Sequence, residues 1–222
     1  MLPLKRSVRF VVLLVAVYGL LIFPWPELTA VYAATYRYVC NGLFASMGSA
    51  AEVRFEPLAG NPRFDSIALL SCKGYDGVRS KRNVPFHTRK TGYLPTALMI
   101  ALILATPQSL KTAVKRLAIG LAAIHVFIAV GVLVTLLYSL TDQRPEQNIK
   151  PVLDVSMYTS RAIFFFYRMM VISPTLSFVA PVLIWIGLTL PDAMRARNVS
   201  REPSKLTARA RRDVKRHGRA PS

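Results

Sequence analysis

Acidic residues are scarce in this chain, and its long apolar runs contain none. Asp and Glu total 11 against 29 Lys and Arg, giving a net charge of +18. Lysine is also missing from those runs. An ion-coupled pump or carrier needs ionisable groups at membrane depth, so this absence argues against transport. Cysteine is nearly absent too. The chain has two, Cys40 and Cys72, too few for a cysteine metal site or a disulfide-rich framework. No metal or cofactor is expected, and no internal repeat is evident.

What the sequence does have is apolar length. It is 53% hydrophobic across 222 residues. A soluble protein this basic would suggest nucleic acid, but a nucleic-acid binder is rarely so apolar, and nucleic acid is disfavoured as a partner. Long uncharged runs beside basic segments suit a polytopic membrane protein. A spanning helix needs roughly 20 mostly apolar residues. Four stretches meet this requirement: 10–25, 91–110, 117–138 and 169–190. The first has an alternative reading, because its basic start and the Val31-Tyr32-Ala33 triplet also fit a cleavable signal peptide.

Short basic segments set the orientation. Lys5, Arg6 and Arg9 precede the first span, and Lys111, Lys115 and Arg116 lie between the second and third. A strongly basic tail follows the fourth. All three fall on one side of a four-span plan, so the expectation is a plasma-membrane protein with both termini cytoplasmic. Its expected fold class is membrane all-α, with four transmembrane helices and a small extracytoplasmic α+β domain. The segments are a cytoplasmic start and first span (1–25), the outer domain (26–90), span two (91–110) and a cytoplasmic link (111–116). Span three (117–138), an outer loop with an interfacial helix (139–168), span four (169–190) and the basic tail (191–222) complete the plan.

Within the outer domain, residues 26–44 read as a helix, with Pro26 and Glu27 suited to its first turn. Residues 51–58 alternate Val53 and Phe55 against Arg54 and Glu56, as a strand does. The stretch "AGNPR" reads as a turn and 64–71 as a second strand, giving a hairpin. Residues 73–92 are polar, basic and glycine-containing, and read as a loop. Cys40 and Cys72 share this compartment, where a disulfide is permitted. The sequence leaves a Cys40–Cys72 disulfide and two free thiols equally open.

His125 is the ionisable side chain well inside a span, roughly 13 Å from its cytoplasmic end at 1.5 Å per residue. It shares helical spacing with Ala118, Ala122 and Ala129, and small residues let a second helix approach closely. Tyr18 or Ser177 could partner it. The bland reading is a packing histidine and the sharper one a proton relay. Pro174 and Pro181 can bend the fourth span.

Arg161 and Arg168 bracket an aromatic run, "RAIFFFYR", and are seven residues apart, about 20° from the same direction on one helix. They either snorkel at the interface or form a basic platform for an anionic headgroup or a partner's carboxylate. Arg89, Lys90, Arg79, Lys81 and Arg82, with Tyr158 and Tyr167, could join that platform.

Cys40, Cys72 and His87, with the outer arginines, are also the ingredients of a membrane-embedded transpeptidase- or acyltransferase-like enzyme, in which a basic neighbour activates a thiolate. No nucleophile motif arranges them. In layout, though not in motifs, the chain is similar to small membrane proteins that accompany envelope protein-sorting systems. The function expected from the residues is an accessory, scaffold or assembly subunit of a cell-envelope complex. Its partners would be other membrane proteins and anionic lipid headgroups.

Overall fold

The computed structural model describes residues 4–23, 25–45, 51–61, 63–73, 79–141, 155–173 and 175–191. The basic tail, most of the 139–154 loop and Pro174 lie outside the described residues, so the readings placed on them are not addressed. The chain divides into two compact units, residues 1–184 and 185–222. Of the second, only the end of one helix, residues 185–191, is described.

The first apolar run forms α1, Leu4–Ile22. A second helix, α2, follows at Pro26–Phe44, with Pro26 in its first turn and Glu27 beside the positive helix end, as the sequence suggests. The Val31-Tyr32-Ala33 triplet lies within this helix, and Ala33 is buried.

Strands β1 (Ala51–Pro57), β2 (Ser66–Lys73) and β3 (Arg79–Phe86) form an antiparallel sheet in that order. The expected hairpin is present. Val53 faces Leu70 and Phe55 faces Ala68 across the ladder, all four buried. The turn contains Gly60 at φ 78°, a left-handed conformation that glycine adopts without a steric penalty. The Asn61 side chain accepts from the Arg63 and Phe64 amides at 2.9 and 3.3 Å.

The loop expected at 73–92 needs correcting, because it contains β3. Arg82 and Val84 are half-buried and Phe86 is buried, while Lys81, Asn83 and Pro85 are exposed. That alternation is a strand's, but with cations at several positions it does not stand out by hydropathy. Pro85 is tolerated because β3 is an edge strand, which needs no further ladder on its outer side.

A π-helical turn, Arg89–Tyr93, leads into α3, Leu94–Ala105. The expected second span is therefore a helix of 12 residues, roughly 18 Å. Its residues are largely buried, including Met99, Ala101 and Ile103, so its apolarity serves packing more than lipid contact. The Gln108 amide donates to the Ile103 carbonyl at 3.0 Å and ties down the turn after it.

Helix α4 runs Leu110–Thr141, 32 residues or roughly 48 Å. Helix α5, Met157–Tyr167, is capped by Ser156, which accepts from the Thr159 amide, and continues as a π-helical turn, Arg168–Ile172. The last described helix, α6, covers Thr175–Pro191.

Among the described residues, α4 alone is a single helix long and apolar enough to cross a membrane. Two bent pairs, one joining α1 to α2 and the other joining the α5 segment to α6, meet the same test only when each is counted as one span, for up to three in all. The protein is thus mostly helical with a small antiparallel sheet and at least one membrane-capable helix. The four-span count is not confirmed.

Candidate functional site

The end of α1 meets the π-helical turn before α3, and the end of α4 meets β3. The last carbonyls of α1 would be orphaned without partners. Instead the Trp25 indole donates to Leu20 O at 3.0 Å, the Tyr93 hydroxyl to Leu21 O, and the Arg89 guanidinium to Ile22 O at 3.1 Å. Arg82 donates to Ser139 O near the end of α4. Two of the cations considered for a basic platform therefore terminate helices.

The same economy holds α2 to the sheet. Asn41 on α2 offers both halves of its amide to the β1 edge. Its Oδ1 accepts from Phe55 N at 2.7 Å and its Nδ2 donates to Phe55 O at 3.1 Å. One side chain thus acts as an added strand and blunts an open edge. Arg37 donates to Ser66 Oγ at 3.1 Å. Asp65 accepts from both Thr88 N and Thr88 Oγ1, at 3.1 and 2.7 Å. Tyr36, Phe55 and Phe86 stack through this seam, with ring centres 6.5 and 5.6 Å apart.

Both thiols are free and buried, with Cys40 5% and Cys72 0% exposed. The disulfide considered from the sequence is not formed. Burial pushes the Cys72 thiol above its ordinary pKa, and the nearby Arg82 charge offsets this only in part. A buried thiol held protonated is a poor nucleophile. Burial also lowers the pKa of His87, with the Asp65 charge acting the other way. Among the described residues, no three His, Cys, Asp or Glu side chains converge to hold a metal.

Arg161 and Arg168 are exposed, as is Lys90, whereas Arg89 is half-buried. The arginine pair sits on the α5 segment, which packs on α4. Tyr138 stacks on Tyr167 with ring centres 4.1 Å apart and lies 6.0 Å from Phe164. Arg89 and Lys90 belong instead to the π-helical turn before α3. No described bond or ring contact joins the two pairs.

His125, Ala122 and Ala129 occupy a different setting from the one the sequence suggests. The face bearing them is open. Ala122 and His125 are exposed and Ala129 is half-buried. His125 Nδ1 donates to Leu121 O of its own helix at 2.7 Å, since a carbonyl can only accept. Neither Tyr18 nor Ser177 forms a described bond to it. The small residues line one wall of a groove of about 480 Å³ between α4 and α2, with Tyr32, Tyr36, Cys40 and Leu43 on the other wall.

Tyr36 was not singled out from the sequence. Its signal is the i, i+4, i+8 spacing of Tyr32, Tyr36 and Cys40, which gives α2 one face. Its ring is 7% exposed, and its hydroxyl forms no hydrogen bond of ordinary geometry. The weakly polar Cys40 thiol, one turn along, is its neighbour.

The model of one family, exosortase H-associated membrane protein, matches residues 4–191. The chain belongs to this family. The match extends over α1 to α6 and so includes both the sheet and the groove. No curated protein and no solved structure matches the chain.

Proposed function

We propose that this chain is an accessory membrane subunit that associates with exosortase H. The observation that carries this reading is the family match over residues 4–191, whose description names that association. The site chemistry supports it. The side chains that could do catalysis are buried thiols and a histidine that converge on no shared centre, and Arg82 and Arg89 terminate helices. A Cys/His enzyme, the alternative from sequence, finds no comparable support.

The proposed topology keeps four crossings: α1, the π-helical turn with α3, α4, and α6. The capping bonds support it. Leu20–Ile22 of α1 lies level with Arg89 and Tyr93 at the start of the α3 segment, so these neighbours run antiparallel. Ser139 of α4 also meets the sheet. The sheet end faces outward, the 106–109 turn and both termini face the cytoplasm, and the exposed Arg161, Arg168 and Lys90 are left for anionic headgroups.

Two measurements test this reading. Tagged full-length chain, purified in mild detergent from membranes containing exosortase H, should retain that protein, and absence of retention would refute the association. Reporter fusions near Asn61 and after Ala105 should report opposite sides of the membrane. The same side for both would break the four-span plan.

A further inference from the structure

His87 and Thr88 join the sheet to the helices. Strand β3 ends at Phe86 and the π-helical turn begins at Arg89. Thr88 is held by Asp65, which accepts from its amide and from its hydroxyl. The His87 carbonyl accepts from the Lys90 and Thr91 amides at 3.0 and 2.9 Å and so starts the turn. Just beyond, Arg89 and Tyr93 take up the last carbonyls of α1. A shift at this joint is therefore passed to the sheet, to α1 and to α3.

The His87 ring takes no part in these backbone bonds. Its Nδ1 is buried and forms no hydrogen bond. In the neutral ring the proton can sit on Nε2, which leaves Nδ1 a bare acceptor. In the imidazolium both nitrogens carry protons, and Nδ1–H becomes a buried donor without an acceptor, which is costly. The charges around the ring add to this. Arg89 and Lys90, on the π-helical turn, oppose a positive ring. Asp65, just before β2, favours one, but its carboxylate is committed to Thr88. From α2, Arg37 adds a cation at Ser66, the residue after Asp65. A charged His87 can gain its one nearby anion only if Thr88 releases it.

We infer that His87 makes the joint between the sheet and the helices acid-sensitive: on taking up a proton it draws Asp65 away from Thr88, and the joint opens locally. The joint is closed with the ring neutral and loosened with it charged. Burial disfavours the charged ring, so the closed form is fully stabilised above the ordinary histidine value of 6.5 and loses that stabilisation as pH falls below it. In the topology proposed above the joint faces outward, where it meets the pH of the outer compartment and not that of the cytoplasm.

Hydrogen exchange of the full-length chain in detergent reads the joint directly, because the Lys90 and Thr91 amides bond to His87 O. Each rate is compared with that of an unstructured peptide of the same sequence at the same pH. From about pH 7.5 to about pH 5.5, a range that brackets histidine titration, the parent should lose protection several-fold over residues 88–91, with α4 unchanged. His87→Gln, uncharged throughout, should show no such loss. Lys90 is exposed, so Lys90→Gln keeps the fold while removing a charge that opposes the proton, and it should move the loss to higher pH. Constant protection in the parent, or an equal loss in His87→Gln, would overturn the proposal. If His87→Gln loses protection in α4 as well and so fails to fold, Lys90→Gln decides, and a transition that does not move would overturn the proposal.

Discussion

The sheet end is held by polar contacts, whereas the groove between α2 and α4 is lined almost wholly by apolar side chains. At the sheet end several polar side chains hold the fold, although the buried His87 Nδ1 forms no hydrogen bond. Asn41 closes a strand edge, Asp65 takes both Thr88 donors, and Arg82 and Arg89 terminate helices. On the groove, His125 bonds the Leu121 carbonyl of its own helix, and the Tyr36 ring turns toward Phe55 in the sheet. A large positive charge is therefore a poor guide to where this protein binds. Arg37, Arg82 and Arg89 all hold structure at the sheet end.

That contrast yields predictions of decreasing size. The largest effect belongs to the sheet end. Leu70 is 1% exposed at the centre of β2, so Leu70→Ala should cost about 2–5 kcal/mol. Thermal melting in detergent measures this, and a negligible shift would show that the sheet contributes little to the fold. Next is the junction of α2 with the π-helical turn. A Cβ at Gly92 would lie 2.3 Å from the Tyr32 hydroxyl. Gly92→Ala should therefore cost about 1–3 kcal/mol by overpacking, and adding Tyr32→Phe should recover part of it. No recovery in the double variant would place the strain elsewhere.

A smaller effect is expected at His125. Its described bond is to its own backbone, so His125→Ala should leave melting of the isolated chain nearly unchanged. A large drop would mean that the face is already packed within the chain.

The smallest effect is a pH dependence. Burial lowers the His87 pKa below its ordinary value of 6.5. The unfolded chain then binds a proton more readily than the folded one, so stability should rise with pH through the region just below 6.5. His87→Gln should flatten melting between pH 5.5 and 7.5. An equal slope in parent and variant would assign the dependence to another group.

Residues 51–57 and the hairpin were legible because burial on one face imposes alternation, and Val53 and Phe55 show it plainly. The third strand was hidden because an edge strand tolerates Pro85, and because a cation, Arg82, occupies its half-buried face and masks the alternation. The second apolar run shows a different limit. Hydropathy does not distinguish a lipid-facing helix from one covered by its neighbours, and α3 is covered over most of its 12 residues. The stripe of Ala122, His125 and Ala129 was legible as one helix face, but what covers it was not. The roles of Arg89 and Arg82 depend on contacts 67 and 57 residues away in sequence, which no local pattern encodes. Tyr36 was missed because a tyrosine on one face of an amphipathic helix is ordinary until the fold shows it packed against the sheet.

The central claim is that this chain associates with exosortase H as an accessory membrane subunit. Retention tests it most directly. Tagged full-length chain purified in mild detergent from membranes containing exosortase H should carry that protein with it, and an unrelated tagged membrane protein should not. Equal recovery of exosortase H with both would contradict the account.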